Sequence, residues 1–107
     1  MKKFKLSNED IKKLIESPGA CIASDKITVE GKKVGYMYRE EPDFKDDSGW
    51  RFLSGDEDDE YTDNPNNFEI YDVNTISNYD QDIISYLDKP IGTQLERDGK
   101  IFKEVTE

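Results

Sequence analysis

Histidine is absent from this chain, and cysteine occurs once, at Cys21. A Ser-His-Asp triad or a Cys–His pair needs an imidazole to take the nucleophile's proton, so both mechanisms are excluded. Zinc sites are built from clusters of His and Cys that this chain cannot assemble by itself. A lone cysteine also rules out an intrachain disulfide, so no oxidising compartment is needed. It sits in Ala20-Cys21-Ile22-Ala23, an apolar run that suits a small buried thiol. Apolar residues are scarce too, at 34%, and no run approaches the ~20 residues of a membrane-spanning helix. Gly31-x-x-x-Gly35 lacks the Lys-Ser/Thr ending of a phosphate-binding loop. The start, Met1-Lys2-Lys3-Phe4-Lys5, is basic but has no apolar stretch of a signal peptide, and a cytoplasmic location is expected.

What is abundant is charge. Of 107 residues 37% are charged, with a formal net charge of −10, while twelve aromatics keep the chain out of the disordered class. That length supports one modest core, so residues 1–107 read as one domain. The charge is unevenly spread. Residues 1–39 carry 9 basic and 5 acidic groups, a net of +4; residues 40–88 carry 2 basic and 16 acidic groups, a net of −14. Nucleic acid and anionic membranes both need a basic footprint and are disfavoured as partners. A basic protein partner is favoured, because a focused field raises association rates.

Local patterns point to an α+β domain: an antiparallel sheet of about five strands, two short helices and a C-terminal hairpin. Ser7 reads as the N-cap of a first helix whose apolar stripe is Ile11, Leu14 and Ile15 and which ends at Ser17-Pro18-Gly19. Ala20–Ser24, extended or paired by Lys26–Val29, then Val34–Arg39, Trp50–Ser54 and Phe68–Val73 read as strands. Residues 40–48 read as a loop stopped at Ser48-Gly49, and residues 55–67 as a thirteen-residue polar loop of a length that is usually functional. Asp80 caps a second helix with Ile83, Ile84 and Leu87 inward, and Asp98-Gly99 joins the hairpin strands Thr93–Arg97 and Lys100–Glu104.

The functional candidates lie in Gly49-Trp50-Arg51-Phe52-Leu53-Ser54-Gly55 and the acids that follow it, Asp56, Glu57, Asp58, Asp59 and Glu60, closed by Tyr61. Five consecutive carboxylates repel one another and belong in water, where they offer charge to a partner. Trp50 reads as a core aromatic at the base of that loop or as an interface anchor; Tyr61 is the second candidate anchor. Arg51, on the opposite face from Trp50, is a hot spot or a counter-charge to the acids. Asp56-x-Asp58-x-Glu60 resembles the start of a calcium loop, but Tyr61 and Asn67 stand where the sharp turn and the closing ligand are required. No metal and no cofactor is expected. Paired carboxylates of a glycoside hydrolase are the one catalytic option left, in a chain with little room for a sugar cleft. The alternative to a protein-binding role is a scaffold or small-ligand domain with a shallow aromatic pocket near Tyr36, Tyr38 and Trp50.

Several strings also carry a resemblance. Gly19–Ser24, Val34–Pro42, Ser48–Glu57, Asn74-Thr75-Ile76-x-Asn78 and Asp82-Ile83-Ile84-x-Tyr86-Leu87 are together similar to a bacterial family first filed as a domain of unknown function. That family is grouped among the predicted immunity proteins of polymorphic toxin systems. The similarity covers about residues 18–104, and its Gly-Trp-x-Phe-x-Ser-Gly-Asp core is the specific part. The resemblance implies a non-enzymatic α+β domain that binds and blocks a cognate toxin. It carries no residue-level interface. An acidic protein of this kind suits a toxin with a basic face.

Overall fold

Six strands form one mixed sheet in the order β4-β1-β3-β2-β5-β6. They are β1 (Ala20–Ser24), β2 (Tyr36–Arg39), β3 (Asp47–Leu53), β4 (Phe68–Asp72), β5 (Gln94–Asp98) and β6 (Ile101–Glu104). The computed structural model describes residues 2–105; Met1, Thr106 and Glu107 of the expected 1–107 domain lie outside them. All neighbours are antiparallel except β1 and β3, which run parallel. The expected five-stranded antiparallel sheet is thus corrected to six mixed strands. The parallel pair arises because β2 leaves β1, skips a place and pairs on the far side of β3, which lays β3 beside β1 in the same direction.

One face of the sheet holds the core. Cys21 and Ala23 of β1, Met37 of β2, Trp50 and Phe52 of β3, Leu95 of β5 and Phe102 of β6 are all buried there. They pack against Ile27 of α1 (Asp25–Thr28), Val73 and Ile76 of α3 (Val73–Tyr79), and Ile83 and Leu87 around the 3-10 turn Gln81–Tyr86. The C-terminal hairpin forms as expected, with Asp98 opposite Ile101 across Gly99 and Lys100. Asp80 caps its turn as expected, accepting from the Asp82 N–H at 3.0 Å, although the turn is 3-10 rather than α.

Three local expectations fail for tertiary reasons. The Ser7 helix is a single 3-10 turn, Asn8–Asp10. Beyond it, the Lys12 N–H donates to Asn78 Oδ1 at 2.9 Å and the Leu14 N–H to Asn74 Oδ1 at 2.8 Å. Asn74 and Asn78 both donate back to the Lys12 carbonyl. An isolated short helix is marginal, and these amides one turn apart on α3 take the N–H groups that would have closed it. The expected strand at Lys26–Val29 is instead the helix α1, Asp25–Thr28, capped by Val29, because Ser24 accepts from the Lys26 N–H and Ile27 and Thr28 gain complete burial. Ser48-Gly49 does not stop β3 but lies within it, where the pairing with β1 slips.

The thirteen-residue loop is structured as well. It contains α2 (Asp59–Thr62) and a 3-10 turn at Pro65–Asn67, each with an Asx cap: Asp58 accepts from the Tyr61 N–H and Asn64 from the Asn66 N–H.

Candidate functional site

The five acids differ in their surroundings. Asp56 pairs with Lys32 Nζ at 2.6 Å and Lys26 Nζ at 3.2 Å, both from the basic half of the chain. Those lysines, with the Ser54 hydroxyl, hold its carboxyl well below the usual range. Glu57 is half-buried and turns inward, taking the Ser54 N–H at 2.8 Å and the Gly55 N–H at 2.9 Å. Burial raises its pKa, but hydrogen bonds from Ser24 and these backbone groups outweigh it, and the net shift is downward. Asp58 is the N-cap of α2. Asp59 and Glu60 remain exposed with no ion-pair partner among the described residues. Tyr61 is half-buried, beneath Lys26 Nζ at 5.1 Å from its ring and edge-on to Phe68.

Trp50 and Arg51 lie inside the domain. Trp50 is 0% exposed, stacks on Phe52 and donates its indole N–H to the Leu87 carbonyl at 3.2 Å. The guanidinium of Arg39 covers its other side, 5.7 Å from the ring centre. Arg51 is 4% exposed and points to the other face of the sheet. It grips Asp47 with two N–H groups at 2.8 and 2.9 Å and Glu40 with Nε at 2.6 Å. Arg51 is therefore a counter-charge, but to Asp47 and Glu40 rather than to the acidic block. Its bonds, with the N–H groups of Asp43 and Gly49, bring the Asp47 carboxyl down to about 2.

The surface that sequence reasoning missed is the outer face of the sheet. No helix from the core side reaches it. The register places Ile70, Ile22, Arg51, Tyr38 and Gln94 in one row, and Phe68, Ser24, Leu53, Tyr36 and Glu96 in the next. Ile70 is 59% exposed, and Tyr36 and Tyr38 are half-exposed with ring centres 5.6 Å apart. The acidic loop folds over one side of this face. A cleft of about 160 Å³ lies where Thr62 of α2 meets Ile22, Tyr38, Glu40, Leu53 and Phe68. The alternation of Tyr36 and Tyr38 with Met37 and Arg39 was the available signal, since period two separates faces. It also overturns the pocket expected near Tyr36, Tyr38 and Trp50: the tyrosines and the tryptophan stand on opposite sides of the sheet.

Chemically, the outer face offers aromatic, aliphatic and acidic groups. Carboxylates converge on cations: Asp47 and Glu40 on Arg51, Asp80 and Asp82 on Arg97, Asp25 and Glu69 on Lys2. No group of three His, Cys, Asp or Glu that could hold a metal occurs among the described residues. No helix among them is long and apolar enough to cross a membrane. What remains on display is a half-exposed aromatic and aliphatic centre with an acidic border, the composition of a protein-binding face.

No curated protein and no solved structure matches the chain. A family model does, the Immunity protein Imm33 domain, over residues 21–106. The match begins inside β1 and runs past β6, so it takes in all of the sheet but Ala20, and the acidic loop. The chain belongs to the Imm33 immunity protein family.

Proposed function

We propose that this protein neutralises a cognate bacterial toxin by binding a basic surface of it, without catalysis. Membership of an immunity family implies a toxin partner; the chemistry of that partner is inferred from the charge on this chain. The carrying observation is the division of labour within the acidic block. Asp56, Glu57 and Asp58 build and hold the loop, which leaves Asp59 and Glu60 free at its tip. Six of the sixteen acids between residues 40 and 88, namely Glu40, Asp47, Asp56, Glu69, Asp80 and Asp82, are ion-paired, so most of the −14 of that segment still faces outward. A field of that sign accelerates encounter with a basic partner and repels nucleic acid. The acidic loop then occupies the place where a phosphate-bearing substrate of the toxin would lie. In this reading Trp50 and Arg51 set the loop and the outer face from within.

The test is co-expression with the product of any toxin-like gene found beside this one. Growth arrest relieved by the wild-type chain, and restored in part by Asp59→Asn with Glu60→Gln, is the expected result. Unchanged rescue by that double variant removes the acidic tip from the mechanism, and failure of the wild-type chain to rescue removes the toxin as partner.

A further inference from the structure

We propose that the cleft between α2 and the outer face of the sheet is a socket for one arginine or lysine side chain of the toxin. This rests on the toxin-binding reading above and assigns it a residue-level site. Size comes first. About 160 Å³ corresponds to roughly five waters at ~30 Å³ each. That suits one side chain and falls short of the ~300–1,000 Å³ of small-molecule sites.

The walls and the charge then select the side chain. Ile22, Leu53 and Phe68 offer apolar surface, and Tyr38 adds an aromatic side chain. Such walls take a long aliphatic stem that carries its charge at the tip. At the mouth stands Glu40, whose side chain is 49% exposed. Its Oε2 accepts from Arg51 Nε at 2.6 Å, and no donor reaches its Oε1 among the described residues. Arg51 also lines the cleft, and its guanidinium is held by two carboxylates, Glu40 of the lining and Asp47 outside it. Three of its N–H groups are taken by those carboxylates and a fourth by the Trp50 carbonyl. The cluster of Glu40, Arg51 and Asp47 therefore has a surplus negative charge, and Glu40 keeps an uncommitted carboxylate oxygen among the described residues. An incoming cation completes the arrangement by pairing with that oxygen. Asp59 stands one turn before Thr62, on the same side of α2, and extends the negative border.

The experiment measures, by titration calorimetry, binding of the purified, catalytically disabled domain of a toxin encoded beside this gene. Thr62→Trp fills the mouth from an exposed position, and Glu40→Gln removes the charge while keeping the shape. Binding about 30-fold weaker or more is expected for each, with thermal midpoints recorded alongside to separate folding from binding. On the toxin side, alanine at one arginine or lysine should reproduce the loss and show no further loss in combination with Glu40→Gln. Wild-type affinity in Thr62→Trp overturns the socket and leaves the immunity reading standing. Loss with Thr62→Trp but not with Glu40→Gln means an apolar occupant and overturns the assignment of a cation. If Glu40→Gln does not fold, Thr62→Trp and the toxin-side scan decide, and a scan with no sensitive arginine or lysine overturns the proposal. No binding by the wild-type chain instead removes the toxin reading itself.

Discussion

Asp47 and Arg51 are four residues apart on one strand, yet their side chains meet in a two-pronged ion pair at 2.8 and 2.9 Å. In a regular strand their Cα atoms would stand roughly 13 Å apart. The bulge between them closes the distance: Ala20 pairs with Asp47 and Ile22 with Arg51, so two steps on β1 match four on β3. Gly49 makes the bend at φ +90°, where a Cβ would come within 2.1 Å of the Glu40 carbonyl. The same bend delivers the Gly49 N–H to Asp47 Oδ1 at 2.8 Å.

Breaking that pair from one side leaves a carboxylate with no exposed side-chain surface and no counter-ion. Arg51→Met should destabilise the fold by about 3–5 kcal/mol, read as a lower urea midpoint. The pair also sets a pH dependence. Asp47 titrates at about 2 in the fold and near ~3.9 unfolded. Its folded pKa is depressed, so its contribution is complete above pH ~4 and is lost as pH falls towards about 2. Urea midpoints from pH 7 down to 2 should fall in that window for the wild type, and less steeply for Asp47→Asn.

Trp50 belongs to the core and should report on folding rather than on binding. Its emission should be blue-shifted in the free protein and change little when toxin binds, because no part of the residue is exposed. Trp50→Ala should cost about 3–5 kcal/mol, a large share of the ~5–15 kcal/mol that holds a small domain together. A strong spectral change on toxin binding would contradict this placement.

The acidic block should divide under mutation. Asp59→Asn with Glu60→Gln should leave stability within about 0.5 kcal/mol, slow association several-fold and flatten its salt dependence. Asp56→Asn should release Lys26 and Lys32 and raise backbone exchange through residues 54–58, since the loop loses its tie to the basic half. Stopped-flow association and hydrogen exchange separate the two outcomes.

Cys21 is 0% exposed, and burial pushes its thiol pKa far above the ordinary value. A thiol-specific reagent should therefore react only after unfolding. Labelling kinetics followed across a urea series should track the global transition; rapid reaction in native buffer would show β1 opening by itself.

Gly35→Ala tests the root of the loop. A Cβ there would approach the Ser54 carbonyl to 2.0 Å, and that backbone atom cannot swing aside as a side chain can. The variant should lose about 1–3 kcal/mol and shift the amide resonances of Ser54 and Gly55 more than those of the C-terminal hairpin.

Much of this was readable in the chain alone, and the reasons are local. The hairpin at Gly99 and the Asp80 cap rest on turn and cap chemistry that acts within a few residues. The burial of Cys21 and the uneven charge follow from composition along the chain. The family resemblance, too, was carried by residues in order. Interactions between distant residues were out of reach. The side-chain amides of Asn74 and Asn78 hold Lys12 and Leu14 out of a helix across some sixty residues of sequence. The parallel pairing of β1 with β3, and the slip that turns Asp47 onto Arg51, depend on which strand lies alongside. Charge density alone placed five acids in water as equals. The tertiary structure assigned three of them to the loop's construction and two to its tip, because Lys26, Lys32 and the loop's own N–H groups are brought within reach only when the chain folds back.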